Sequence, residues 1–364
     1  MPVSTPGWFE NIVRCGFVGV PLFYVLSGFV LAYTYANTAK REDFTPRSFL
    51  SARFARIYPA YALSLLLSVP MLLAAFGDKP TGSDLVRRLI AHTTVLLLVQ
   101  SWFVRTAYLW NYPAWSLSTE VGFYAAFPFL HRPLIRLSRW SLLCVGAGLW
   151  FGGISVSALY MILNPDRYTH FPTLAFMQER SLQTHSWMAI LVFNPIFRLP
   201  EFLLGFIAGR LFALRAPAAK SLPSAVVWSA VAAIMVLIII SPRLPYLWIT
   251  TSLLAPLWAL LMYGLASGAS LLSRILSHSV AVLLGECSYS IYILQAPVFW
   301  IASRIAASRG IGSSSLLVVF EMILITAVSI ASLFLVERPA RRWLRAAIGP
   351  SGVKSRPRVN SLTH

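Results

Sequence analysis

The chain has 364 residues, of which 57% are Ala, Val, Ile, Leu, Met, Phe, Trp, Tyr or Cys and only 12% are charged, with a mean hydropathy of +0.70. Soluble globular proteins carry about 45–50% apolar and about 25% charged residues, so an ordinary water-soluble domain is excluded and one polytopic membrane unit is expected. The 30 Lys and Arg against 12 Asp and Glu give a formal charge of +18, but the basic residues fall between apolar runs. Topology therefore explains them better than nucleic acid, which is not expected as a partner. Cys15, Cys144 and Cys287 are too few and too scattered for a disulfide framework or a metal knuckle; they are read as reduced structural thiols, and no metal is expected.

A membrane crossing needs about 20 mostly apolar residues. In chain order the candidates are 16–36, 58–77, 116–132, 141–163, 198–214, 223–241, 247–268, 280–303 and 315–336. A tenth stretch, 89–104, is shorter and carries His92, Thr93, Thr94, Gln100 and Ser101. Three basic clusters mark cytoplasmic segments: Lys40, Arg41, Arg47, Arg53 and Arg56; Arg132, Arg136 and Arg139; and Arg338, Arg341, Arg342 and Arg345 with Lys354, Arg356 and Arg358 beyond. Placing the first two clusters on one side requires an even number of crossings between them, so 89–104 is expected to be re-entrant or interfacial, its backbone covered by protein or water.

The expected fold class is thus an all-α polytopic membrane protein of about nine transmembrane helices plus one re-entrant or interfacial segment. Residues 1–345 form the transmembrane domain, and 346–364 a basic, disordered cytoplasmic tail beside the anionic inner leaflet, membrane lipids being partners in any case. This topology puts residues 1–15 outside with no basic leader before the first span, and it predicts one further helix ahead of that span.

Charges inside spans are costly and suggest function by default. Glu120, Glu201, Glu286 and Glu321 qualify. Glu120 shares a helix face with Ser116, four residues earlier. A carboxylate in such a pocket can serve as a general base or hydrogen-bond acceptor, or it can pin neighbouring helices. Arg198 and Glu201, three apart, can pair with each other. Glu286 adjoins Ser288, Tyr289 and Tyr292; the two tyrosines, one turn apart, can line a substrate path or anchor the span at the interface. Glu321 has no partner in its own segment. Arg53 and Arg56 present two guanidinium groups on one face, suited to clamping a phosphate or to snorkelling. The six histidines are read as lying outside the span interiors. No Walker A loop, strand-linked G-x-G-x-x-G, H-E-x-x-H or G-x-S-x-G elbow occurs, so ATP-driven transport, dinucleotide chemistry and zinc hydrolysis lose support.

Six segments lie in a distinctive order over residues 17–345: Gly19-Val20-Pro21-Leu22-Phe23-Tyr24-Val25-Leu26-Ser27-Gly28-Phe29, Arg53 to Pro59, Trp115 to Glu120, Arg198 to Gly205, Ser288-Tyr289-Ser290-Ile291-Tyr292-Ile293-Leu294, and Val336-Glu337-Arg338-Pro339. Together they resemble the acyltransferase 3 family of bacterial inner-membrane O-acyltransferases. The basic cluster from Arg338 onward places the C-terminus in the cytoplasm, and the resemblance implies a multi-pass bacterial inner-membrane fold of about ten transmembrane helices. It implies transfer of an acyl group, commonly acetyl, from cytoplasmic acyl-CoA to a hydroxyl of a cell-envelope or secreted carbohydrate or of a glycolipid. Arg53, Arg56 and Tyr58 would then seat the CoA phosphates. Ser27, Trp115, Ser116, Arg198, Glu201, Ser288, Tyr289, Tyr292 and Gln295 would line the substrate pocket. Two departures stand out. The family's first helix, with an Arg and about ten residues later the His thought to be the base, has no counterpart in this sequence, which leaves Glu120 as the candidate catalytic residue. Gln295 stands where the family often has His, and it can hydrogen-bond but cannot take a proton near neutral pH.

Three readings compete: an O-acyltransferase acting on a glycan, a catalytically inactive scaffold of polysaccharide assembly, and a transporter for a lipid-linked sugar. The first requires thioester-dependent transfer that fails when Glu120 or Arg53 is removed. The scaffold is indifferent to those changes, and the transporter is indifferent to acyl-CoA.

Overall fold

The computed structural model describes residues 15–35, 44–75, 82–168, 186–215, 222–268, 270–312 and 315–348. The expectations for residues 1–14, for the middle of the outer loop at 169–185 and for the tail from 349 lie outside the described residues. Within them every regular element is helical and there is no β-strand. The main helices are α1 (Gly19–Tyr35), α2 (Pro46–Leu67), α3 (Gly82–Leu96), α4 (Trp115–Arg136), α5 (Arg139–Leu163), α6 (Pro195–Ala213), α7 (Ser224–Ile240), α8 (Ala255–Ala266), α9 (Ser279–Ser308), α10 (Ser315–Ser332) and α11 (Arg338–Ile348).

Their boundaries follow local chemistry. Thr45 caps α2 through its side chain, with Pro46 in the first turn. Ser138 caps α5 by accepting from the Ser141 amide, and Asn194 caps α6 with Pro195 next in line. Asn164 closes α5 in the left-handed region at φ 41°, a conformation Asn tolerates.

Among the described residues six helical segments are long and apolar enough to cross a membrane: Cys15–Tyr35, Arg139–Leu163, Trp187–Ala213, Ser224–Arg243, Ser279–Ser308 and Ser315–Leu344. The count of about nine is therefore not reached on length and apolarity. Three expected spans depart for identifiable reasons. The 58–77 span is displaced: α2 begins at Pro46, includes Arg47, Arg53 and Arg56, and stops at Ser68 before a short helix, Val69–Ala75. The 116–132 span is α4, 22 residues long, but Glu120, Arg132 and Arg136 dilute its hydropathy. The 247–268 span is broken at Thr251, which separates Tyr246–Thr250 from the apolar helix Ser252–Ala266. The doubtful stretch at 89–104 is α3 followed by irregular backbone. At 15 residues, α3 extends only about 22 Å, short of a hydrocarbon core of about 30 Å. The chain then runs through short 3-10 turns to Ala114, burying Gln100, Ser101 and Asn111.

The centre of the molecule is the contact of α1 with α6. A Cβ at Gly28 would meet the Phe202 carbonyl oxygen at 1.9 Å, one at Gly205 the Val25 oxygen at 1.9 Å, and one at Gly209 the Phe29 oxygen at 2.4 Å. Small residues let the two backbones touch, as in membrane helix pairs generally. Because residue numbers rise together across this contact, α1 and α6 run parallel. α4 runs with them, Thr119 near its start bonding Phe193 and Ile135 near its end bonding Arg210. α2 begins at the opposite end, where Phe49 packs on Tyr35 and stacks on Phe127 at 4.6 Å. α9 and α10 complete one side, and α11 leaves α10 through a π-helical turn at Leu333–Glu337 to pack along α2.

Candidate functional site

Glu120 lies in the second turn of α4, 2% exposed. Its Oε1 accepts a hydrogen bond from Ser27 Oγ of α1 at 2.9 Å and another from the Tyr124 hydroxyl, one turn further along α4. Ser27 Oγ and Tyr124 are themselves 3.3 Å apart, so carboxylate, hydroxyl and phenol form a closed triangle. Over the Tyr124 ring lies the Arg53 guanidinium, 5.9 Å from the centroid and 5.8 Å from that of Phe49. Arg53 Nε is buried and makes no hydrogen bond. Arg56, three residues on and exposed, acts electrostatically on Glu120 together with Arg53. Seven and ten residues beyond Pro46, the two arginines stand about 10 and 15 Å along α2 from its start, Arg53 partly buried and Arg56 exposed. They approach Glu120 from the end where α2 begins.

A second set lies toward the start of α4. Ser116 Oγ donates to the Tyr292 hydroxyl at 2.8 Å, and Tyr292 donates to the Pro113 carbonyl at 3.1 Å. The Tyr24 hydroxyl donates to the Ser116 carbonyl at 3.3 Å. Trp115 packs edge-on against Phe193 at 4.9 Å. Arg198 and Glu201, one turn apart on α6, form an ion pair at 3.0 Å with exposures of 1% and 0%. The Arg198 guanidinium also reaches the Thr250 carbonyl and lies 5.4 Å above the Tyr24 ring.

The expected site residues are thus not all brought together. Ser27, Glu120, Arg53 and Arg56 converge, and Ser116, Tyr292, Arg198 and Glu201 gather one layer away. Tyr289 joins from α9 by donating to the Ile57 carbonyl at 2.8 Å, beside Arg56. Tyr58 faces elsewhere, stacked on Phe54 at 4.6 Å with its hydroxyl 3.5 Å from the Leu96 carbonyl. Ser288 is exposed and bonds back to the Gly285 carbonyl of its own helix. Gln295 is half-buried beyond Tyr292 and joins neither set.

Several readings of the polar residues need correction. Glu286 is an exposed residue paired with Arg338 at 2.7 Å. Glu321, without a partner in its own segment, accepts from Ser303 Oγ at 2.9 Å on the neighbouring helix, which no local spacing could show. The buried acid of this region is Glu337: it is 0% exposed and pairs with Arg341 at 2.8 Å while accepting from Ser290. His131 is not outside the helical core; it is 1% exposed among Phe44, Phe127 and Phe206. It lies eleven residues beyond Glu120, about 16 Å along α4, too far to serve it.

The sequence reading also missed Tyr124, although its position four after Glu120 was a usable signal. It missed Asn111 as well, whose amide donates to Ser64 Oγ at 3.1 Å and to the Ile293 carbonyl at 2.9 Å. That residue joins α2, α9 and the loop before α4 and has no sequence signature.

Comparison with known proteins bears on this arrangement. A family model described as an acyltransferase domain matches residues 1–336. Acyltransferase MdmB of Streptomyces mycarofaciens is 29% identical over 199 residues, 54% of this chain and 47% of MdmB. Protein 2 in the picA locus of Rhizobium radiobacter is 39% identical over 116 residues, 29% of this chain and 61% of that protein. The exopolysaccharide production protein ExoZ of Rhizobium meliloti (strain 1021) is 26% identical over 344 residues, 94% of each chain. The chain thus spans about half of MdmB and under two thirds of the picA-locus protein. No solved structure matches. With the model covering nearly the whole chain, and with Ser27, Arg53, Glu120 and Glu201 lying within the matched residues, the protein belongs to the acyltransferase 3 family.

Proposed function

We propose that the protein is a multi-pass membrane O-acyltransferase that moves an acyl group, acetyl in the simplest case, from acyl-CoA to a hydroxyl of a carbohydrate. The observation that carries this reading is Glu120: a buried carboxylate held by Ser27 and Tyr124, with two arginines approaching from one end of the molecule. A base inside the protein and a cationic seat beside it are what thioester-to-hydroxyl transfer needs. Matches to a protein named acyltransferase and to one named for exopolysaccharide production support the reaction class and a polysaccharide-related acceptor.

In this reading Arg53 and Arg56 bind the phosphates of the donor entering along α2, and Arg53 Nε, buried without a partner, gains an acceptor. Glu120 takes the proton of the acceptor hydroxyl as its oxygen attacks the thioester carbonyl. The new C–O bond forms as the C–S bond breaks, and the departing thiolate receives the proton from Glu120. Ser27 and Tyr124 orient the carboxylate through the cycle.

The test is release of CoA and labelling of carbohydrate from labelled acetyl-CoA by membranes holding the full chain. Glu120→Gln is expected to slow transfer by about 10² or more, the scale of general-base catalysis, and Arg53→Ala to raise the donor KM. Transfer that survives both changes refutes the reading, and substrate movement without acyl-CoA would indicate transport.

A further inference from the structure

Around the start of α4, side chains become steadily less accessible toward Glu120. Tyr112 is 51% exposed, Tyr108 and Tyr292 are half-buried, and Ser116 and Glu120 are 3% and 2% exposed. The hydroxyls of Tyr108, Tyr112 and Tyr292 lie near enough to feel one another, and Tyr292 accepts from Ser116 Oγ, one turn before Glu120. Tyr112 is thus the outermost member of a series that ends at the carboxylate, and it stands at the end of the molecule opposite the start of α2.

Tyr112 is also held in place. Before it, Asn111 is buried and its amide donates to Ser64 Oγ and to the Ile293 carbonyl. After it, the Pro113 carbonyl accepts from Ser116 Oγ and from the Tyr292 hydroxyl, each at 3.1 Å. An exposed ring on a fixed backbone offers a flat apolar face bordered by hydroxyls, and a ligand meets it at little cost in ordering. A pyranose matches, with C–H groups on its faces and hydroxyls around its rim; a lipid tail would use the ring and none of the hydroxyls. The separation sets the size of the ligand. The turn Tyr112–Ala114 runs directly into α4, so Tyr112 stands about 13 Å from Glu120 along the axis. A six-membered ring with its linking oxygens spans about 5 Å, so about two or three sugar units bridge that distance.

We propose that Tyr112 is the platform of a remote sugar subsite, on which one unit of a glycan stacks while a hydroxyl about two or three units away lies at Glu120. The acceptor is then an oligosaccharide or polysaccharide rather than a single sugar, and Tyr112, which lies outside all six motif segments, sets the preference for length. This rests on the reading of Glu120 as the base for acyl transfer to carbohydrate.

The probes are ladders of one to six units of glucose, mannose or N-acetylglucosamine, supplied with acetyl-CoA to the full chain in lipid nanodiscs. In the unaltered protein the acceptor KM in at least one ladder is expected to fall about three- to tenfold between one and four units, the scale of one contact with a ring face. Tyr112→Ala should abolish that gain, so that long and short members share one KM, and Tyr112→Phe, which keeps the ring, should retain it. Trp187→Ala removes another ring, 59% exposed on the helix preceding α6, and should also retain it, which separates stacking from anchoring at the membrane interface. A gain that persists in Tyr112→Ala, or a KM that rises there alike for every length, overturns the proposal and leaves an interfacial anchor. Melting without acetyl-CoA separates the subsite from the reading it rests on. Stabilisation by the longer members that is lost in Tyr112→Ala, without acyl transfer by the unaltered protein, keeps the subsite and removes the acyltransferase reading. Transfer with one KM for all lengths removes the subsite alone, and neither stabilisation nor transfer removes both.

Discussion

The contact of α1 with α6 allows a sharp prediction at Gly205. A Cβ added there meets the Val25 carbonyl oxygen at 1.9 Å and its carbon at 2.6 Å. Carbon and oxygen approach no closer than about 3.3–3.6 Å even in favourable C–H···O contacts. Taking about 3.4 Å and subtracting 1.9 Å, the helices must part by about 1.5 Å in Gly205→Ala. No rotamer change relieves the clash, since the obstructing atoms are backbone. Overpacking of this kind costs about 1–3 kcal/mol, and a backbone obstruction belongs at the upper end. The functional effect is expected to exceed the loss of stability. Ser27 is carried by α1, and its 2.9 Å bond to Glu120 does not survive a displacement of that size; a misplacement of about 1 Å can cost about 10² in rate. The assay pairs the melting midpoint of the full chain in detergent with acetyl transfer. Gly148→Ala on α5, where a Cβ meets nothing within 4 Å, is the control and should match the unaltered protein in both. If Gly205→Ala melts within error of that control and keeps its turnover within twofold, the glycine contact does not set the position of Ser27, and the reasoning fails.

Three further changes probe separate parts of the molecule. Tyr124→Phe removes one of the two donors to Glu120 and should lower kcat about tenfold, the effect of one hydrogen bond to a charged group, with both KM values near normal in steady-state kinetics. Arg56→Glu should raise the KM for acetyl-CoA while leaving that for acetyl-pantetheine, which lacks the nucleotide phosphates, nearly unchanged. Glu337→Gln strands Arg341 and weakens the bond from Ser290; because Arg341 is 29% exposed and reaches solvent, the cost falls below the ~3–5 kcal/mol of breaking a fully buried pair. It should lower the melting midpoint markedly, and Arg341→Met in the same chain should recover part of the loss.

How much of this was readable without coordinates depends on the range of each interaction. Glu120 with Ser116, Arg53 with Arg56, and Arg198 with Glu201 are helical spacings, and each appears in the structure on the face that the spacing implied. What no spacing carries is the partner on another helix. Ser27 reaches Glu120 across 93 positions, Tyr292 reaches Ser116 across 176, and Asn111 reaches Ile293 across 182. Such pairs are set by packing, which one sequence does not encode in any periodic pattern. Tyr58 and Ser288 show the converse case. Each lies inside a recognised motif, yet motif membership says nothing about which side of the helix faces the site.

The departures from the expected spans have a single physical origin. Helices that face lipid must be apolar all round and are the easiest for hydropathy to find. The apolar helices α5, α7 and α10 are mostly exposed. α2 and α4 carry the arginines and Glu120 and fall below the same measure, and α8 is cut short at Thr251. A buried carboxylate needs donors from its neighbours, and every hydroxyl or guanidinium supplied for that purpose lowers the hydropathy of the helix that bears it. Two of the helices hardest to read as spans, α2 and α4, therefore join α1 in forming the Glu120 site. The charges that lower the hydropathy of α2 and α4 are the ones at the site, which directs mutagenesis first to Arg53, Glu120 and Tyr124, where the two helices face each other.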